Sequence, residues 1–406
     1  MKLTQDLSRS NYKFFLWHAV FLALAKNFMD VDTIIPAMMI DAGGSSLHVG
    51  FLTGILVGGS KFAQLFFASW INNKTYKKPF LLLGINLRVL SLVGLAGVFF
   101  ASAFISNTLI IWFIFILITI FSVSGAFANI SFTDILGKSV LQESRKSFFS
   151  IKQIISSIGV FLSAFLAGKV LVSSDYPDNY AYLFAIAAVA LGIASIGFWR
   201  VKEMRASKLK IEGIKRYFQV IRKEIKSNKK FANYLMLINT QGIVLALMPF
   251  LILYAKQNLD ADNESVRSFL MFKVIGGVIM GSLLYYYARK VRYQKLLYLT
   301  SFLSVLIPLY IYLLPGSNLF FLAFLGGGVV YTLHKVSIDG VLLEVSTNEN
   351  RALYTGLSGA GSIMPAAFPL AGGWIVNQFG FPAFFSLFIL FILISIYFVY
   401  KLNCKK

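Results

Sequence analysis

The sequence predicts an all-α integral membrane protein, with twelve transmembrane helices in two pseudo-symmetric six-helix bundles. Three observations predict it. First, 57% of the 406 residues are hydrophobic and 14% charged, against about 25% charged in a soluble domain, and the mean hydropathy is +0.73. Second, the apolar residues come in blocks of about 20 or more, the length that crosses about 30 Å of hydrocarbon. Third, the blocks on either side of one long polar stretch resemble each other. Hydrocarbon offers no water to main-chain N–H and C=O groups, so each block must satisfy its own as a helix. The blocks are too long and continuous for the alternating strands of an outer-membrane barrel.

In chain order the expected spans are 14–39, 47–70, 79–102, 108–136, 148–172, 180–200, 229–257, 265–289, 295–314, 318–345, 351–378 and 382–401. The first carries Lys26, Asp30 and Asp32, with Ile35-Pro36 near its outer end. The second carries Gly58-Gly59 and Lys61. The third carries Arg88, which lies well inside the span and reads as structural. The fourth supplies Asn129 and, near its cytoplasmic end, Asp134. The fifth holds Gly159, Ser163-Ala164 and Ala167-Gly168. After the sixth, residues 201–228 are polar and basic. Within them Ile211, Ile214, Phe218, Ile221 and Ile225 recur at spacings of three and four, as in an amphipathic helix lying in the cytoplasmic interface. This linker separates a first bundle, 1–200, from a second, 229–406. The seventh span supplies Asn239, Gln241 and Met248-Pro249, and the eighth Lys273 and Gly276-Gly277. The tenth holds Gly328, Tyr331, Thr332, His334, Lys335 and Asp339. The eleventh holds Pro365, Pro369 and Gly372-Gly373.

The net charge of +21 raises nucleic acid as a partner, and its distribution argues against one. Lys and Arg crowd one side of the topology: Lys2, Arg9 and Lys13; Lys74, Lys77 and Lys78; Lys138, Arg145 and Lys146; Arg200 to Lys230; Arg289 to Lys295; Arg351; and Lys401 to Lys406. The intervening loops 40–46, 103–107, 173–179, 315–317 and 379–381 carry neither residue. Cytoplasmic loops hold the excess of positive charge, so both termini are expected in the cytoplasm, with the basic runs against anionic headgroups of the bilayer. The first span is too long for the apolar core of a cleaved leader. Cys404 is the only cysteine, so no internal disulfide is expected. No Gly-x-x-x-x-Gly-Lys-Ser/Thr loop occurs, which disfavours ATP-driven transport. No cofactor or metal is expected.

The halves align. Gly58-Gly59 matches Gly276-Gly277 without gaps and brings Lys77 onto Lys295. Ile35-Pro36 matches Met248-Pro249. The loop Gln142-Glu143-Ser144-Arg145 matches Asn348-Glu349-Asn350-Arg351. Shared loops, glycines and prolines at equal depth mark a duplicated bundle. Two parallel six-helix repeats resemble the major facilitator superfamily of secondary transporters. That family's signature between helices 2 and 3 is Gly-x-x-x-Asp-Arg-x-Gly-Arg-Arg. Here Ser69 to Lys78 keeps the basic positions as Lys74, Lys77 and Lys78, lacks both glycines and has Asn73 for the acid. The resemblance implies a conformational loop motif of Asn73, Lys74, Lys77, Lys78, Arg145 and Arg351, with a weakened lock where the acid is missing. The family's antiporter signature on helix 5 lacks its Gly-Pro pair here, which tells against a drug exporter. The resemblance also implies that helices 1, 4, 7 and 10 surround the central cavity.

An ionisable group at mid-membrane costs about 2.5–3.5 kcal/mol on the insertion scale and so points to function. Lys26 and Asp30 are four apart and share a helical face, extended by Thr33, Ala19 and Ala23. Lys335 and Asp339 repeat the pattern beside Tyr331, and His334 lies about 100° round the helix. In the repeat register Asn129 falls opposite Lys335, and Asn239 opposite Lys26, so the polar layer sits at one depth. Each Lys–Asp pair reads either as a self-neutralised helix staple or as part of a site. Lys61 and Lys273 either add positive charge or pair with acids. The candidate substrate ligands are Lys26, Thr33, Asn129, Asn239, Gln241, Tyr331 and Lys335. The candidate proton carriers are Asp30, Asp339, His334 and Asp134. The excess of lysine points to a small organic anion carried by alternating access, with proton coupling. Two other readings stay open: proton-coupled efflux of amphipathic drugs, which 40 Phe and 19 Tyr support, and a non-transporting scramblase or sensor. No enzyme chemistry is expected. The expected setting is the plasma (inner) membrane of a bacterium, as a monomer.

Overall fold

The computed structural model describes every residue except 1–3, 73, 204–227, 288–290, 314–318, 347–353, 355, 356, 360 and 403–406. The described residues form helices and no strand. In chain order the crossings are Gln5–Ala25 continued by Ile34–Asp41, Ser46–Asn72, Lys78–Phe100, Asn107–Ser139, Gln142–Ser173, Asp178–Arg200, Lys229–Gln241 continued by Leu247–Asn258, Asn263–Tyr287, Tyr293–Leu313, Phe321–Val345, and the long run Met364–Leu402. That run turns at Gly380, where φ is 77° and ψ is 178°. Only glycine adopts such a backbone without steric cost, so the run is two crossings and the described residues make twelve. Ten stretches are long and apolar enough to cross a membrane, the last of them holding both crossings 11 and 12. Ser46–Asn72, with 27 residues, is about 40 Å long.

The first and seventh spans read as continuous in sequence and are broken in the structure. In the first, a 3-10 turn, Lys26–Met29, is followed by Asp30 in extended conformation. In the seventh, a 3-10 turn occupies Gly242–Ala246. The α-helix resumes at Ile34 and at Leu247, the same position in the repeat register, and each resumed helix has proline as its third residue. Proline has no N–H to donate, and its ring crowds the carbonyl four residues earlier. Pro36 and Pro249 therefore expel Asp32 and Leu245 from a continuous helix. Pro365 does the same after a break at Ser362–Ile363 in crossing 11.

The chain packs as two compact units: Met1–Asp30 with Phe62–Tyr217, and Val31–Lys61 with Phe218–Lys406. In the first unit crossing 3 packs on crossings 4 and 6, and crossing 1 on crossings 5 and 6. In the second, crossing 9 packs on crossing 10 and on the run of crossings 11 and 12, crossing 7 packs on that same run, and crossing 8 on crossing 10. The arrangement of 3 with 4 recurs as 9 with 10, as a duplicated bundle requires. Ser131 and Ser337 occupy equal positions in crossings 4 and 10, and the hydroxyl of each is buried without a hydrogen-bond partner. Crossings 8 and 10 meet at glycine: a methyl on Gly276 would collide with the main chain of Leu325, and one on Gly328 with that of Lys273. Of the expected linker, only Val201 to Glu203 and Asn228 are among the described residues.

Candidate functional site

The loop motif belongs to the first unit, and its acids come from elsewhere in the chain than expected. Lys77 is buried, with its Nζ 3.3 Å from Asp134 Oδ1. Lys138 pairs with the other oxygen of Asp134. At the start of crossing 3 the main-chain N–H groups of Lys77 and Lys78 donate to the Glu203 carboxylate at 2.8–3.0 Å, and Lys78 Nζ donates to the Trp199 carbonyl at 2.7 Å. The first N–H groups of a helix lack intrahelical acceptors and sit at the positive end of its dipole, so a carboxylate belongs there. Asp134, a candidate proton carrier in sequence, is thus held between two lysines. Glu203 escapes a motif search because it lies in a basic run after crossing 6; its being the first acid after that span was the available signal. Lys74 is exposed, its ammonium 5.1 Å from the Trp70 ring. Asn73, Arg351 and the side chain of Arg145 lie outside the described residues.

Deeper in the first unit, the break in crossing 1 separates the two groups that the sequence placed on one face. Lys26 is exposed on the 3-10 turn, while Asp30 is buried on extended backbone. A shared α-helical face needs unbroken helix between them, and Pro36 prevents it. Asn27, which sequence reasoning passed over, holds the turn in place: its amide donates to the Val160 carbonyl at 2.6 Å and to Ser163 Oγ at 2.8 Å on crossing 5. Asn129 is exposed on crossing 4.

In the second unit Thr33 is fully buried at the same break. Beside it Asp32 Oδ2 lies 2.7 Å from Lys273 Nζ, each side chain 11% exposed. Lys273 therefore pairs with an acid, one of the two roles open to it. The amide of Asn239 donates to the carbonyls of Leu235 and Gly361 at 2.8 Å and accepts from the N–H groups of Ile363 and Met364 at 3.0 and 2.9 Å. Its polar atoms are occupied by the break in crossing 11. Gln241 is fully buried. It donates to the Leu297 carbonyl at 3.0 Å and to Ser301 Oγ at 2.8 Å, and its Oε1 lies 3.3 Å from His334 Nδ1. Ser301 Oγ meets Ser395 Oγ at 3.0 Å. This chain of polar groups ties crossings 7, 9, 10 and 12 together. Lys335 and Asp339 are exposed along one face of unbroken helix in crossing 10, and Tyr331 is half-buried on it.

The sequence matches the family model described as Major Facilitator Superfamily over residues 16–338. The chain belongs to the major facilitator superfamily. Solved structures agree on the fold. A D-xylose–proton symporter is 14% identical with a TM-score of 0.68, and the match covers 100% of each chain. The xylose transporter XylE from E. coli, in an inward-open conformation, is 13% identical with a TM-score of 0.69, over 98% of this chain and 97% of that one. The nucleoside transporter NupG is 13% identical with a TM-score of 0.68, over 96% and 98%. Among curated protein sequences none matches this chain. Membership makes this superfamily protein a multi-pass membrane transporter rather than an enzyme.

Proposed function

We propose that this superfamily member is a secondary transporter of a small organic anion, working by alternating access and coupled to protons. The observation that carries the reading is the exposure of Lys26 and Lys335 at membrane depth, in a chain whose Asp32 and Asp134 are held by other lysines. A cation at that depth is kept where water or a ligand can meet it. Lys26, Thr33, Asn129, Tyr331 and Lys335 are the substrate ligands of this reading, and Asp30 and Asp339 its proton carriers. Asn239, Gln241 and His334, with their polar atoms engaged inside the second unit, brace the scaffold. Xylose, which the solved relatives carry, has no charge for a lysine to meet. The same reading makes residues 1–200 and 229–406 the two six-helix halves, joined by a basic cytoplasmic linker, with cytoplasmic termini, in a bacterial plasma membrane. The one-sided Lys and Arg distribution supports that orientation.

Uptake into proteoliposomes and thermal stabilisation by soluble anions test it. Lys26→Ala and Lys335→Ala should each stay folded in the membrane and lose anion uptake and anion-dependent stabilisation. Normal uptake by both variants removes the lysines from the site; failure of both to fold makes them structural.

A further inference from the structure

Arg88 lies near the middle of the crossing Lys78–Phe100. It shares a helical stripe with Leu81, Ile85, Leu92, Leu95 and Phe99, all buried, and stands opposite Leu83, Leu90 and Val93, which are exposed. Its side chain therefore turns into the first unit and away from lipid. The guanidinium carbon sits 4.1 Å from the centroid of Phe121 on crossing 4. Its Nε is buried with no hydrogen-bond partner, and among the described residues no acid pairs with it. The side chain as a whole is only half-buried, so the rest of the fork reaches an opening on the bundle side.

Cations outnumber acids around it. Arg88 and Lys152 are the charges acting on the nearby His18 ring, and the Lys152 ammonium lies 5.2 Å from the Phe132 ring. Lys26 is a third cation at this depth. The acids within the crossings of the first unit, among the described residues, are Asp30 and Asp134, and Asp134 is held by Lys77 and Lys138. A buried charge without a partner is costly, and a fold keeps one where the partner comes from outside the chain. A planar guanidinium matches the two oxygens of a carboxylate or phosphate. Phe121 behind its face fixes the plane and leaves the edge open.

We propose that Arg88 is an oxyanion-binding residue of this transporter, its fork taking the carboxylate or phosphate of the transported solute edge-on with Phe121 behind it. The inference rests on the organic-anion reading and adds to it a residue that sequence reasoning set aside as structural.

Two substitutions separate the roles. Arg88→Met keeps the length and removes the charge; Arg88→Lys keeps the charge and removes the fork. Thermal unfolding of the purified full chain is followed with succinate, citrate, inorganic phosphate, glycerol phosphate, neutral xylose, and phosphatidylglycerol in mixed micelles. At least one soluble anion should raise the wild-type melting temperature in a saturable way. Without ligand the Met variant should melt at the same or a higher temperature, and it should lose the anion response. The Lys variant should need about tenfold more anion, the loss of one bond of a bidentate pair. Unchanged anion titrations in both variants would overturn the role of Arg88 and leave the organic-anion reading standing. A Met variant that melts lower yet titrates normally makes Arg88 structural and overturns it too. Stabilisation by phosphatidylglycerol alone assigns the fork to a lipid headgroup and rejects the solute. Stabilisation by xylose alone, or no anion response in the wild type, rejects the organic-anion reading itself.

Discussion

At the scale of single residues, sequence spacing found the right groups and could not say which of them meet. Asp32 and Lys273 are far apart in the chain, and nothing local to either names the other. Asn239 looked like a ligand because it falls opposite Lys26 in the repeat. Its amide instead satisfies four main-chain groups at a helix break, where an unmet buried N–H or C=O would cost about 1–3 kcal/mol. The Asp32–Lys273 pair makes a sharper prediction. Removing one partner from a buried pair costs about 3–5 kcal/mol, while replacing both by apolar groups of similar size is often neutral. Asp32→Leu and Lys273→Met should each lower the melting temperature of the purified protein, and the double variant should recover most of the loss. A double variant whose loss is the sum of the two singles shows that the pair does not stabilise this conformation.

At the scale of elements, the spans were legible because each must be long and apolar, and length survives in a single sequence. The breaks were less legible. Apolar residues run straight through positions 28–40 and 242–253, so hydropathy reads one helix where the backbone makes two segments. The prolines were the signal: they match between the repeats, and a proline inside a helix costs about 3 kcal/mol. Discontinuous helices at the midplane recur at transporter binding sites, which gives the breaks a functional reading. Pro249→Ala restores an N–H donor and lets the helix run through Gly242–Ala246. Its melting temperature should stay level or rise, while its transport rate falls. A variant that transports at the wild-type rate makes the break a packing feature and no more. The loop motif carries the complementary lesson. Its basic positions kept their places in sequence, while the acids that hold Lys77 and Lys78 moved to Asp134 and Glu203, where only the folded chain reveals them.

At the scale of the whole molecule, fold and family were legible from composition, block length and duplication, and the coupling ion was not, because coupling depends on how an acid's surroundings change between conformations. An acid that carries a proton must be ionised in one conformation and neutral in another. Two candidates remain after Asp134 and Asp32 are taken by lysines. Asp30 is buried on extended backbone in the first unit, and Asp339 is exposed on crossing 10 in the second. Asparagine is a permanent neutral substitute of nearly the same shape. If either aspartate is the carrier, its Asn variant should lose accumulation driven by an imposed pH gradient. Counterflow exchange needs no net proton movement and should partly survive in that variant. Loss of both activities in one variant marks that aspartate as a substrate ligand or a structural group. Both are read in proteoliposomes with the same labelled anion, so a folding defect, which depresses both, is told apart from lost coupling, which depresses one. Accumulation that still follows the gradient in Asp30→Asn and in Asp339→Asn removes both aspartates as the proton site and turns the search to His334, the remaining titratable group of crossing 10 among the candidates.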